Sequence, residues 1–126
     1  MNKVDTPRCT FCNIQIETLY HLFFECTILK CIWHHVSVVC SRLCDTVIHL
    51  TLSDVIIGFF KKDVMFTDII NMLILYVKYY IYRCKYDMKE PNIMGLKMHL
   101  QYQQPCETNL QKVIDYWYYL IVKGYI

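Results

Sequence analysis

Apolar residues recur along this chain at intervals of three and four, the spacing that gathers side chains on one face of a helix. Ile32, Val36, Val39 and Leu43 keep that spacing and predict a helix over 28–43, capped by Thr27. Upstream, Thr18 is placed to cap a helix opening at Leu19, with His21 in its first turn. Ile48, Leu50 and Leu52 alternate as in a strand, while Ser53-Asp54 looks like a helix start. A short helix from Asp54 to near Gly58 is the expectation. A long helix over 66–89 follows, apolar on almost every side in its first half and so expected at the centre of the fold. Pro91 stops it, a further helix runs over 92–103, and Pro105 separates that from a last amphipathic helix over 108–122.

Composition sharpens this picture. Hydrophobic residues make up 56% of the 126 and charged ones 19%, against about 45–50% and about 25% in ordinary soluble domains. Such a surplus implies apolar surface that expects a protein partner. Three glycines and three prolines leave few turns and favour long elements. A formal net charge of +2 predicts no polyanion binding by itself, so any basic footprint must be local. Residues 1–7 have no apolar core and do not read as a signal peptide, so the eight cysteines are expected reduced in an intracellular protein. Residues 64–82 are the most apolar stretch, but Asp68, Asn71 and Lys78 interrupt it, and no membrane span is expected.

Cys9, Cys12, His21 and Cys26 are spaced C-x2-C-x8-H-x4-C. Two thiolates from a tight turn over 9–15, then an imidazole and a thiolate from a helix start, suit a tetrahedral Zn²⁺ site. His21 and Cys26 lie about 140° apart on a regular helix, so the helix must end or distort near Cys26. With four protein ligands the ion is structural and leaves no open position for a substrate. The expected fold is therefore mainly α: an N-terminal zinc knuckle followed by a bundle of about four to five helices with a long central one. No repeat or flexible linker divides it, so 1–126 reads as one domain, the knuckle in 1–27 and the helical part in 28–126.

Two places could meet nucleic acid. Phe11 sits between the first two ligands beside Arg8, where its ring either stacks on an unpaired base or folds back onto Leu22 or Phe23. On the long helix, Lys85 and Lys89 each fall within about 20° of Lys78, with Tyr82 in the same stripe. That stripe suits a phosphate backbone with stacked bases, or equally a solvated face whose lysines complement the helix terminus. Cys40 and Cys44 read as small core residues. No serine or cysteine stands in a nucleophile turn, so no enzyme and no small-molecule substrate is expected.

Cys9-x2-Cys12, Glu17-Thr18, His21-Leu22-Phe23, Cys26 and Trp33 together resemble the zinc-binding C-terminal segment of non-LTR (LINE-type) retrotransposon reverse transcriptases. Residues 54–59 and 71–85, closed by Lys89-Glu90-Pro91, extend the resemblance to about Leu100, and the tail beyond Gln101 matches only loosely. The resemblance implies a nucleic-acid-binding accessory region that engages RNA or target DNA. The chain departs from the family in having no room for a polymerase or endonuclease and no paired aspartates for Mg²⁺, so it is expected to be a fragment. The expected function is a non-catalytic RNA- or single-stranded-DNA-binding module with a structural zinc. The alternatives are a helical protein-interaction module, or a decayed element fragment.

Overall fold

A computed structural model describes residues 7–61, 64, 66–103 and 115. The protein is mainly helical, and among the described residues the only β-type pairing is an isolated antiparallel bridge between Arg8 and Ile16. A π-helical turn, His21–Glu25, and a 3₁₀ turn, Thr27–Leu29, lead into α1 (Lys30–Cys44). A short α2 (Leu52–Ile56), a long α3 (Thr67–Tyr86) and α4 (Ile93–Gln103) follow. The expected helix over 108–122 lies outside the described residues. No helix among those described is long and apolar enough to cross a membrane.

The periodic faces are buried as their spacing predicts. Ile32, Val36 and Val39 of α1 join Ile70, Leu73, Val77 and Ile81 of α3 and Leu96 and Leu100 of α4 in one core. Each such side chain contributes about 1.5–3 kcal/mol on leaving water. The long helix is not buried all round: Leu75, Tyr79, Tyr82 and Tyr86 form an exposed row along it.

Helix ends depart from expectation in physical detail. Thr27 does not cap α1; it opens the 3₁₀ turn, and α1 begins at Lys30 with no side-chain cap. α2 starts two residues before Asp54 because Thr51 and Asp54 form a reciprocal capping box. α3 stops at Tyr86, short of Lys89, because Met88 turns left-handed (φ 57°) and the Lys89 N–H closes back on the Cys84 carbonyl (2.8 Å).

Two side-chain devices replace the sheet that the alternation at 48–52 suggests. Ile48 and Leu50 do point inward, but their N–H groups donate to the Ser41 hydroxyl (2.7 Å) and the Ser37 hydroxyl (3.1 Å), one turn apart on α1. Asn71 grips Phe59 in the same way, accepting from its N–H (2.7 Å) and donating to its carbonyl (2.8 Å). Phe59 is thereby held in the core with its backbone groups satisfied. Asn71→Leu keeps the branching and the number of side-chain heavy atoms and strands both groups, so a loss of about 2–3 kcal/mol in urea unfolding is expected. A loss under about 0.5 kcal/mol would show that water replaces the amide.

At the far end of α3, the Tyr80 hydroxyl accepts from the Asn92 N–H (3.1 Å) and donates to its carbonyl (3.2 Å). The Asn92 side chain then caps α4 through the Gly95 N–H (2.7 Å).

Candidate metal centre

Residues 7–17 form a tight turn, closed by Cys9 N–H to Gln15 O (2.8 Å) and Glu17 N–H to Pro7 O (3.0 Å). Asn13 takes the left-handed conformation (φ 55°) that lets the chain reverse between the first two cysteines and the bridge. The Thr18 hydroxyl accepts from the His21 N–H (3.0 Å), the N-terminal cap that its position predicts.

The angular conflict between His21 and Cys26 is resolved by the π turn. The Cys26 N–H bonds to the His21 carbonyl (3.0 Å), an i→i+5 closure. One wider turn brings residue i+5 back beneath residue i, which a regular helix does not do. Cys26 then leaves the turn in extended conformation.

The four predicted ligands meet. One donor atom from each of Cys9, Cys12, His21 and Cys26 lies within 4.8 Å of every other. Cys9 Sγ is 3.8 Å from Cys26 Sγ, and Cys12 Sγ is 3.4 Å from His21 Nε2. No disulfide joins them. Backbone N–H groups of Gln15 and Ile14, then the His21 ring, pull the Cys12 thiol down to about 6, against some burial. Burial pushes the Cys26 thiol up to about 12, with Cys9 adding to the effect. A cation at the centre favours thiolate at all three cysteines. The cluster can thus hold a metal ion. No match to this chain appears among protein-family models, curated proteins or solved structures. Its chemistry is therefore read from its own residues. Among those described, no second group of three or more metal-ligating side chains assembles, and Cys40 is a buried core residue.

The residues expected to face nucleic acid have other neighbours. Arg8 is exposed and reaches the Ile14 carbonyl (3.5 Å). Phe11 is half-buried against the core, the folded-back alternative. Lys78 donates to the Val55 carbonyl (3.0 Å) and lies over the Phe23 ring. Lys85 pairs with Glu17 and reaches the Thr10 hydroxyl (3.4 Å), tying the turn that carries Cys9 and Cys12 to α3. Lys89 lies past the end of α3 and so falls out of the helical register that places it in the stripe. Tyr82 remains exposed, at 50%. The Val55 and Glu17 partners of Lys78 and Lys85 are not visible in spacing, because they lie 23 and 68 residues away in the chain. The pairing of Glu17-Thr18 with the ligands is the only sequence hint that Glu17 belongs to the site.

Burial acts to raise the Glu17 carboxyl, but hydrogen bonds from Lys85 and Thr10 and the Lys85 charge together hold it below its ordinary value of 4.5. A depressed folded value contributes stability at neutral pH that is lost as pH falls from 4.5 through the folded value. Wild type should exceed Glu17→Gln by about 1–2 kcal/mol at pH 7, less than a fully buried pair because Lys85 is a third exposed. Urea unfolding at pH 7 and pH 3 reads the difference, which should narrow in acid. An equal gap at both pH values would remove the carboxylate as its cause.

Proposed function

We propose that this chain is a non-catalytic accessory module, folded at its N-terminal end around a structural zinc ion, that binds RNA or single-stranded DNA. The observation that carries the zinc is metric. A tetrahedral ion at about 2.3 Å from sulfur and about 2.0–2.1 Å from nitrogen spaces its ligand atoms about 3.8 Å (S to S) and about 3.5 Å (S to N). Two of the six separations here, Cys9 Sγ to Cys26 Sγ and Cys12 Sγ to His21 Nε2, are 3.8 and 3.4 Å, and all six lie within 4.8 Å. Cys9, Cys12, His21 and Cys26 would hold the ion, and its role is to fix the turn against the helices.

The nucleic-acid part rests on the resemblance to the LINE-type zinc-binding segment and on the exposed row Tyr79, Tyr82 and Tyr86, with Arg83, itself paired with Asp87 (3.8 Å), beside it. Exposed rings in a row suit successive unpaired bases, and cations beside them suit phosphate. Lys78 and Lys85 enter this reading as parts of the fold, so the row of rings and Lys89 are the clean places to probe. Tyr82→Ala with Tyr86→Ala is expected to weaken oligo-U binding about ten-fold or more, with melting unchanged. Unchanged affinity would take the nucleic acid off this face.

A second reading has its own observation. Leu75 stands in the same row, and Ile57 and Phe60 are also exposed, as a protein-docking module would have them. Salt separates the two: phosphate contacts weaken steeply as salt rises, and apolar docking does not.

A further inference from the structure

A cleft of about 470 Å³ opens between the π turn, α1 and the segment leading into α2, and none of the row tyrosines lines it. Its floor is apolar, with half-buried Phe24 and Leu52 presenting the surface and buried Trp33 and Leu50 backing it. The Phe24 and Trp33 rings lie 6.0 Å apart and tilted by 40°. Its rim is polar: Lys30 and His34, one turn apart on α1, His49 opposite, and Glu25. All four rim side chains are exposed, and none has a hydrogen-bond or ion-pair partner among the described residues. That contrasts with Lys78 and Lys85, whose amines the fold engages.

We infer that this cleft binds one nucleotide, its base lying on the Phe24–Trp33–Leu50–Leu52 floor and its phosphate held by Lys30, His34 and His49. The volume falls in the range of small-ligand sites, about 300–1,000 Å³. An apolar floor with a few convergent polar groups is the usual construction of such a site. Lys30 and the two imidazoles can each donate an N–H to a phosphate, with the Glu25 carboxylate offsetting the Lys30 charge. The floor favours an anion that carries a flat ring over bare phosphate. The nucleotide is either free or an unpaired unit of a strand, and the second case rests on the nucleic-acid function proposed above.

Calorimetric titration of the zinc-loaded full chain tests this with AMP, ribose 5-phosphate and an oligo-A strand. AMP is expected to bind at least ten-fold more tightly than ribose 5-phosphate. Lys30→Gln with His34→Gln, both surface changes, is expected to weaken AMP about ten-fold with melting unchanged. AMP binding no better than ribose 5-phosphate, or binding equally to the double variant, overturns the cleft. A strand that binds wild type and double variant alike while AMP does not bind also overturns it, and leaves strand binding by the tyrosine row intact. Loss of both AMP and strand affinity in the double variant supports the cleft as the seat of one base of the strand.

Discussion

Cys12→Ser should yield a chain that holds no zinc and has lost the ordered fold of residues 7–29. Cys12 is one of four ligand donors, and a hydroxyl is a poor substitute for thiolate at a zinc ion. Zinc binding to such sites has an apparent free energy on the order of 10 kcal/mol at neutral pH, which exceeds the whole stability of many small domains. Besides the ion, the Glu17–Lys85 pair and the Phe11 ring anchor the turn to the rest of the fold. Its backbone closes through a few hydrogen bonds and a single bridge, and its outer face carries exposed Ile14 and Ile16. Cys9 and Cys26, by contrast, are fully buried against the core, so losing the ion leaves two thiols and a histidine with no common partner. Metal content by elemental analysis and protection from amide exchange across residues 7–29 should both collapse. The helical core should persist with raised exchange near α1. Full zinc content together with native protection in Cys12→Ser would refute the assignment of this ligand.

Trp33→Ala should be the most damaging single change in the helical part, at about 4–5 kcal/mol in urea unfolding. The indole is 4% exposed and packs within the core beneath the π turn. Its N–H donates to the Phe23 carbonyl at 2.7 Å, in the middle of that turn. Truncation therefore opens a large cavity and strands the carbonyl at once. The second effect reaches the metal site, because the turn holding Phe23 also places His21 and Cys26. Trp33→Phe separates the terms: it keeps most of the volume, loses the hydrogen bond, and should cost about half as much with zinc affinity still lowered. If Trp33→Ala weakened the fold by less than about 2 kcal/mol, the cavity would have collapsed and the indole would not be a keystone of this layer.

How far the sequence foretold this structure depends on the range of each interaction. The face of α1 could be read because Ile32, Val36 and Val39 repeat within a single helix, and every one is buried. The four ligands could be read because thiolate and imidazole spacing is itself the constraint. The angle argument also required a distortion between His21 and Cys26, though not that it would be a π turn. Helix ends were harder. Asp45 and Met88 end α1 and α3 in left-handed conformation, where a glycine would have announced the stop. Ser37, Ser41 and Asn71 stand in helices as ordinary polar residues, and their acceptors and donors lie elsewhere in the chain. The alternation at Ile48 and Leu50 left strand and helix both open, and the two residues are buried with their N–H groups on serine hydroxyls of α1. Lys78 and Lys85 look like a surface stripe until the turn and α2 are folded beside them.

The Glu17–Lys85 pair also shapes how the molecule looks from a distance. A cation held against a carboxylate acts on its surroundings as a dipole, whose field dies away faster than that of a lone charge. Beyond a Debye length of about 8 Å in physiological salt almost none of it remains. An approaching polyanion is therefore not guided toward this end of α3 by Lys85. Arg8, Lys30 and Lys89, all exposed, carry charge on which long-range attraction can act. The sites of first encounter and the sites of lasting contact on this protein thus need not coincide.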